Sequence, residues 1–163
     1  MDATSSNPNG LFNRSTKGLI TDPVEFQVEA GRISFFAETL GERNPIHHDR
    51  AAAQAAGHPD VVAPPTFAIV VDLETGRALE RQGKPSVLAR IGCDYRRLLH
   101  GEERYDYHGA IHAGDRLSIT TEVLGFEDKK GGALELAHLR SEIRHPERGL
   151  LVSITRSLVH RLA

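Results

Sequence analysis

The chain has 163 residues, a formal net charge of −2 at pH 7 and a sequence pI near 6.5, with 39% hydrophobic and 26% charged residues. This length and balance are typical of one globular domain with a substantial core, and they argue against a nucleic-acid partner bound through bulk positive charge. The single cysteine, Cys93, excludes an intramolecular disulfide and favours a reducing cytoplasm. We find no basic and apolar leader and no apolar run that could span a bilayer, so we expect neither a signal peptide nor a membrane partner.

The N-terminal sixteen residues are rich in Ser, Asn, Asp and Gly and offer little to bury. We predict a flexible tail there, followed by a single domain over residues 17–163. The first helix is predicted from apolar residues at helical spacing, namely Ile33, Phe36, Ala37 and Leu40. Gly41 stands where a C-terminal glycine stops a helix.

The segment GERNPIHHD, residues 41–49, connects that helix to the next one. Asn44-Pro45 disfavours helix, because a proline ring crowds the preceding residue out of the α conformation. Asp49 is predicted to cap a short alanine-rich helix that ends at Gly57. The connection therefore presents a concentrated set of polar side chains: Glu42, Asn44, His47 and His48.

A second proline pair, Pro64-Pro65, is predicted to lead into a longer helix, since proline is tolerated in the first helical turn. Residues 66–73 are apolar nearly all round, with Asp72 as the exception, and the following ETGRALERQ is polar. We therefore expect a helix that is deeply buried at its start and solvated at its end.

After Gly83 the hydrophobic period changes to two, which predicts strands. The first is predicted in VLARIGCDYRRLL, with one face formed by Val87, Ala89, Ile91, Cys93 and Tyr95. Strand patterns follow in ERYDYHGA, RLSITTEVLGFED, ALELAHLRSEIRH and GLLVSITRSLVHRL, with turns at HAGD and KKGG. Strands joined by short turns predict an antiparallel sheet and an α+β fold.

Four stretches of the sequence resemble the MaoC-type enoyl-thioester hydratase and dehydratase family, over about residues 18–162. FAETLGERNPIHHDRAAA is similar to the hydratase signature of that family, Gly-Asp-x-Asn-Pro-x-His with a downstream alanine, here Gly41, Glu42, Asn44, Pro45, His47 and Ala53. VVAPPTFA and GEERYDYHGAIHAGDRL resemble the branch that contains the fungal fatty acid synthase dehydratase domain and the mycobacterial hydroxyacyl dehydratase subunits. The C-terminal strands fit the same family. Where the family usually has a catalytic aspartate, this chain has Glu42, which moves the carboxylate outward by one methylene.

The resemblance implies a hot-dog fold, in which an antiparallel sheet wraps around a long central helix. It assigns the catalytic roles to Glu42 and His47, with Asn44 in support. The family's oxyanion donor is a backbone N–H at the start of the central helix, and because Pro64 and Pro65 have none, Thr66 or Phe67 would supply it here. A carboxylate and an imidazole that hold one water could perform both proton transfers of a hydration.

The implied reaction is the (R)-specific hydration of a trans-2-enoyl thioester, carried on coenzyme A or an acyl carrier, or the reverse dehydration of a 3-hydroxyacyl thioester. A non-catalytic subunit that holds the acyl chain for a second hot-dog subunit is the alternative. A thioesterase is disfavoured by the Asn-Pro-x-His arrangement. The resemblance implies at least a dimer, either a homodimer or a heterodimer with a second hot-dog subunit. We expect no cofactor and no metal, since the histidine spacings match no zinc pattern.

Each of these residues also has an ordinary structural interpretation. Without the signature, Glu42 and Asn44 are common loop residues, His47 is a hydrogen-bonded and partly buried histidine, and His48 faces solvent. Thr66 could only cap its helix. The arginines of residues 96–97 and 140–144 are either solvated side chains or contacts for the phosphates of coenzyme A or a carrier arm.

Overall fold

The computed structural model describes residues 7–162, within which five strands form one antiparallel sheet in the order β1-β3-β4-β5-β2. The strands are β1 (Val24–Gln27), β2 (Leu98–Tyr107), β3 (Arg116–Lys129), β4 (Leu134–His145) and β5 (Gly149–Arg161). The helices of the described residues are α1 (Ala30–Thr39), α2 (Arg50–Ala55), α3 (Ala68–Arg81) and α4 (Val87–Arg90). The predicted α+β arrangement with an antiparallel sheet is confirmed. None of these helices is both long and apolar enough to cross a bilayer.

Helix α3 is the central helix, and a 3-10 turn at Pro65–Phe67 runs directly into it. Phe67, Ala68 and Val71 are fully buried in a cluster with side chains of α1 and of the long strands, including Ile33, Leu117, Ile143 and Ile154. The predicted deep burial at the start of the helix holds for these three residues but was wrong for Leu73, which is 45% exposed.

Strand β3 shows the predicted alternation, with every second residue buried from Leu117 to Val123. The predicted HAGD turn precedes it, and Asp115 accepts the N–H of His112 there at 2.9 Å. Strand β1, which pairs with β3, was missed by the sequence analysis. It has only four residues, so its alternation is too short to identify against irregular neighbours.

The strand predicted over VLARIGCDYRRLL, residues 87–99, was wrong for all but its last two residues. Val87–Arg90 is a helical turn, α4, and the Ser86 hydroxyl accepts the N–H of Ala89 at 3.3 Å as its cap. Ile91 is fully buried after the turn, and Gly92 has φ +73°, a conformation that a side chain disfavours. The alternating apolar residues do not form one buried face, because Ala89 and Tyr95 are exposed, and the strand β2 begins only at Leu98.

The segment from residue 7 to residue 16 lies against the sheet, contrary to the prediction that it has little to bury. Phe12 is 6% exposed, and its ring stacks on that of His160 with centroids 3.8 Å apart. The carboxylate of Glu135 in β4 accepts the N–H groups of Leu11 and Phe12 at 2.9 and 3.1 Å. The first six residues of the predicted tail lie outside the described residues.

Candidate functional site

The end of helix α1 fixes the backbone position of Glu42. The N–H of Gly41 donates to the carbonyl of Glu38 at 3.0 Å, and the N–H of Glu42 donates to the carbonyl of Ala37 at 2.9 Å. This pair of hydrogen bonds is a Schellman motif, which requires a left-handed residue, and Gly41 has φ +72°. The predicted glycine stop is confirmed, and it places Glu42 directly at the helix end.

The carboxylate of Glu42 is exposed and folds back onto the connection. Its Oε1 accepts the N–H of Asn44 at 2.8 Å. That hydrogen bond lowers the pKa of the Glu42 carboxyl, so the group stays ionised near neutral pH. Asn44 in turn uses its side-chain oxygen to accept the N–H of Ile46 at 3.2 Å, which caps the 3-10 turn Pro45–His47.

His47 is buried, with 7% of its surface exposed. Its Nδ1 lies 2.6 Å from the carbonyl oxygen of Val62. Because a carbonyl can only accept, Nδ1 carries a proton, so in the uncharged tautomer that fits this contact Nε2 has the lone pair. The imidazole is therefore held in one orientation with a basic nitrogen left over.

His48 is a positioning residue of this connection, which the sequence analysis treated as solvent-facing. It is half-buried, its Nδ1 lies 2.8 Å from the Ser34 hydroxyl, and its Nε2 lies 2.9 Å from the carbonyl of Glu42. The Nε2–H therefore donates to Glu42, and the ring fastens the connection to helix α1. The doubled histidine of the motif was the available signal, but only the structure shows that Ser34 meets it.

A largely apolar cavity of about 430 Å³ opens beside His47 at the start of the central helix. Its other lining residues are Val62, Ala63, Pro64, Pro65, Tyr107, Gly109, Ala110, Ile111 and Val152. The side chain of Glu42 is not part of this lining. The structure thus brings His47 and the helix start together around one cavity, while the Glu42 carboxylate stays on the solvent side.

The two candidate oxyanion donors differ in their hydrogen bonds. The N–H of Phe67 donates to the carbonyl of Pro64 at 2.9 Å, and the Phe67 side chain is fully buried. Thr66 is exposed, and no hydrogen bond from its N–H is found within residues 7–162. Of the two, Thr66 therefore has the N–H that an incoming oxygen could use.

The arginines considered as phosphate contacts and the histidines considered as metal ligands lie close to other side chains of the protein. Arg96, Arg140 and Arg144 each pair with a nearby carboxylate, from Asp94, Glu122 and Glu142 respectively. His58 and His112 approach to 3.4 Å between ring nitrogens, and burial lowers the pKa of His112. In the described part of the chain, no three His, Cys, Asp or Glu side chains are grouped so as to hold a metal ion.

Comparison with known protein sequences gives a family match over most of the chain. The sequence model of the FAS1-like dehydratase domain region matches residues 15–151. A UPF0336 protein of Saccharopolyspora erythraea is 34% identical over 136 residues, which cover 83% of this chain and 82% of that protein.

Solved structures with the same architecture agree. A chain of the C-terminally truncated HadBC complex, a 3R-hydroxyacyl-ACP dehydratase from Mycobacterium tuberculosis, superposes with a TM-score of 0.70 at 19% identity, covering 88% of this chain and 96% of that one. A MaoC-like dehydratase superposes with a TM-score of 0.72 at 22% identity, covering 93% of this chain and 43% of that one. These likenesses establish the hot-dog fold.

Proposed function

Since this chain belongs to the family of the FAS1-like dehydratase domain region, we propose that it catalyses the (R)-specific hydration of trans-2-enoyl thioesters or the reverse dehydration of 3-hydroxyacyl thioesters. The observation that carries the proposal is His47, a buried imidazole whose Nδ1 is held by the carbonyl of Val62 at the wall of an apolar cavity. A fixed base beside a water-poor cavity suits proton transfer to a bound acyl group.

In the proposed reaction, one water donates one hydrogen to Nε2 of His47 and the other to the carboxylate of Glu42. The water oxygen attacks C3 of the enoyl group as Glu42 takes one proton from it, and the protonated Glu42 then gives that proton to C2, which regenerates the carboxylate. For this Glu42 must turn from the N–H of Asn44, which it accepts at 2.8 Å, toward the cavity. Asn44 supports the connection through its cap on Ile46.

Negative charge develops on the thioester oxygen during the attack, and the proposal assigns its stabilisation to the start of the central helix. The N–H of Thr66 is the preferred donor, because that of Phe67 already donates to Pro64. A helix N-terminus adds a favourable dipole at this position. The acyl portion would occupy the apolar cavity that His47 shares with Tyr107.

A non-catalytic acyl-binding subunit is the second candidate function, and the position of Glu42 favours it. The carboxylate is exposed, is bound to backbone and lies outside the cavity lining. A chain that only held the acyl group for a partner would need the cavity, with His47 as part of its lining. It would not need a carboxylate inside that cavity.

We further propose that the working protein is a dimer with a second hot-dog chain, identical or different, as the HadBC complex pairs its own chains. Strand β2 lies at the sheet edge and is largely exposed, with Leu99 at 50% and Tyr107 at 47% exposure. Leu73 of α3 is open as well. An exposed edge with apolar side chains is suited to pairing with another chain. The single cysteine and this substrate class favour a cytoplasmic location.

The deciding experiment is a hydration assay with crotonyl-CoA and longer trans-2-enoyl-CoAs, followed as loss of absorbance of the conjugated thioester. We expect turnover by the purified chain and its loss in His47→Gln, with His58→Gln as the matched control that retains it. No turnover alone, but turnover on addition of a second hot-dog chain that carries its own catalytic pair, would favour the binding subunit. In that complex His47→Gln of this chain would leave kcat unchanged and alter only KM, because His47 would line the acyl cavity without transferring a proton.

A further inference from the structure

The carbonyl that holds His47 belongs to a short extended segment between α2 and the central helix. This carbonyl is that of Val62, and Val62 pairs with His112 in an isolated antiparallel bridge. Two backbone hydrogen bonds of 2.8 Å form the bridge, one from the N–H of Ala63 to the carbonyl of Ile111 and one from the N–H of Ala113 to the carbonyl of Val61. Residues 111–113 therefore clamp Val62 from both sides.

The geometry of this bridge leaves the backbone groups of Val62 itself available for other partners. A residue whose neighbours make the ladder hydrogen bonds directs its own N–H and carbonyl away from the paired strand. The N–H of Val62 donates to the carbonyl of Ile46 at 3.0 Å, and its carbonyl oxygen lies 2.6 Å from Nδ1 of His47. The orientation of the His47 ring thus depends on where residues 111–113 hold Val62.

Arg148, in the turn between β4 and β5, holds the segment that contains residues 111–113. Its Nη1 donates to the carbonyl of Ala110 at 2.8 Å, and its Nη2 pairs with the carboxylate of Asp115. The same carboxylate oxygen accepts the N–H of His112 at 2.9 Å, and Nη1 also lies 3.4 Å from Nδ1 of the His112 ring. One planar guanidinium therefore holds both ends of the segment from residue 110 to residue 115.

This ion pair is better protected from solvent than an ordinary surface pair. The side chain of Asp115 is 12% exposed and that of Arg148 is 35% exposed, and His145 lies 3.7 Å from the other oxygen of Asp115. The segment that the pair holds supplies Ala110 and Ile111 to the lining of the cavity beside His47. Arg148 is not part of that lining, so any effect on the cavity is transmitted through the segment.

We propose that Arg148 is a positioning residue for His47. By holding Ala110 and Asp115 it keeps residues 111–113 against Val62, and the Val62 carbonyl then keeps the proton of the His47 ring on Nδ1. Without Arg148 the segment shifts, the Nδ1 contact weakens and the proton also populates Nε2. The catalytic consequence rests on the proposed function, in which His47 holds the water, but the state of the ring can be measured without turnover.

The test is ¹⁵N NMR of the labelled full-length protein at about pH 8, where an ordinary histidine is uncharged. The readout is the separation between the Nδ1 and Nε2 chemical shifts of His47, assigned by their loss in His47→Gln. A ring held as one tautomer gives widely separated shifts, and exchange between tautomers draws them together. We expect Arg148→Ala to narrow the separation.

The hydration assay supplies the catalytic readout. In Arg148→Ala we expect kcat to fall by roughly tenfold to a hundredfold and KM to change by less, since a misplacement of about 1 Å can cost roughly a hundredfold. Arg14→Ala is the matched control, because Arg14 is 22% exposed and also pairs with carboxylates, those of Asp128 and Glu135, in fastening the N-terminal segment. It should lower the melting temperature without narrowing the His47 separation.

Asp115→Asn is the second variant, and it decides the test if Arg148→Ala does not fold. The asparagine oxygen still accepts the N–H of His112, but the charge that pairs with Arg148 is lost. We expect a narrowing in the same direction and of smaller size, because Arg148 still donates to Ala110.

Three results overturn the proposal. The natural protein has His47 shifts that already coincide, or the separation is unchanged in Arg148→Ala (in Asp115→Asn if the alanine variant does not fold), or Arg14→Ala narrows it equally, which would mean that lost stability alone frees the ring. Narrowing in Arg148→Ala of a chain without turnover would support the positioning role and contradict the proposed function. Turnover with an unchanged ring would do the reverse.

Discussion

Two carboxylate–imidazole pairs in this protein have opposite environments. Glu42 and His47 stand on the connection after α1, and each uses one side-chain atom to contact nearby backbone. Glu135 and His160 are both fully buried, 3.6 Å apart, and are surrounded by partners from the N-terminal segment and the loop before β2.

The difference lies in which atoms remain free. Glu135 accepts two backbone N–H groups and the guanidinium of Arg14, and Nε2 of His160 accepts the N–H of Asp94 at 3.0 Å. In the pair of Glu42 and His47, no hydrogen bond from Nε2 of the buried His47 is found within residues 7–162, and the exposed Glu42 carboxylate can turn. Nδ1 of His160, 3.6 Å from Glu135, forms no hydrogen bond within residues 7–162. The same two side-chain types thus fasten a segment when most of their polar atoms are bonded to it, and are suited to chemistry when an atom stays reachable from a cavity or from solvent.

The largest expected effect comes from removing the carboxylate of the pair formed by Glu42 and His47. If the proposed reaction is right, Glu42→Gln loses about 10²- to 10⁴-fold in kcat, because an amide cannot accept the proton of water. The hydration assay with crotonyl-CoA measures this, and Glu38→Gln, an exposed glutamate on α1, is the control. Thermal melting should not change. Full turnover by a clean Glu42→Gln preparation would remove Glu42 from the mechanism.

Glu42→Asp sharpens the same test. If the site is adapted to glutamate, the shorter side chain withdraws the carboxylate from the water, and the rate falls, since a misplacement of about 1 Å can cost roughly a hundredfold. If the site still suits the aspartate usual in this family, the rate stays level or rises. Comparison of kcat for the two carboxylates decides which holds.

The second-largest expected effect comes from removing the carboxylate of the buried pair, Glu135 and His160. Glu135→Ala should lower the free energy of unfolding by about 3–5 kcal/mol, because Arg14 and two backbone N–H groups lose a buried acceptor. Urea unfolding measures the change. Glu127→Ala on the neighbouring strand, with a half-exposed side chain, should stay within about 0.5 kcal/mol. Equal losses in the two variants would contradict the anchoring role of Glu135.

A third effect concerns pH. Burial lowers the pKa of His160 below its usual 6.5, so between the folded-state pKa and 6.5 the unfolded chain binds a proton that the folded chain does not. Stability is therefore complete above pH 6.5 and falls as pH drops through this window, by at most about 1.4 kcal/mol per pH unit for one group. His112, whose pKa burial also lowers, acts in the same direction.

Urea unfolding at about pH 7.5 and about pH 5.5 tests this window. His160→Gln keeps an acceptor for the N–H of Asp94 but cannot titrate, so it should lose part of the pH dependence and leave the part due to His112. A pH dependence unchanged by His160→Gln would show that His160 does not titrate differently on folding.

The smallest expected effect comes from removing a contact that holds the segment carrying Glu42 and His47 against helix α1. Ser34→Ala removes the hydroxyl that holds Nδ1 of His48, and should cost about 1 kcal/mol in unfolding free energy. The hydration rate should fall by less than in Glu42→Gln, because the Schellman motif still fixes the backbone of Glu42. A Ser34→Ala variant of unchanged stability would show that this contact is dispensable. Ser15→Ala, at an exposed hydroxyl, is the control.

The sequence was sufficient to predict those features of the structure that neighbouring residues decide. The glycine stop at Gly41, the Asp49 cap on α2 and the alternation along β3 all follow from contacts within a few residues or from a long periodic pattern. The motif also identified the connection that carries His47. These features are set by backbone sterics and hydrogen bonds that the sequence itself specifies.

Only the tertiary structure decided the features that depend on distant partners. The packing of Phe12 on the sheet and the buried pairing of Asp72 with Arg156 each join segments far apart in sequence. The sequence determined that an imidazole and a carboxylate stand on one loop. Which of their atoms are free depends on Val62 and Asn44 as the fold presents them, because a hydrogen bond forms only where folding brings donor and acceptor together.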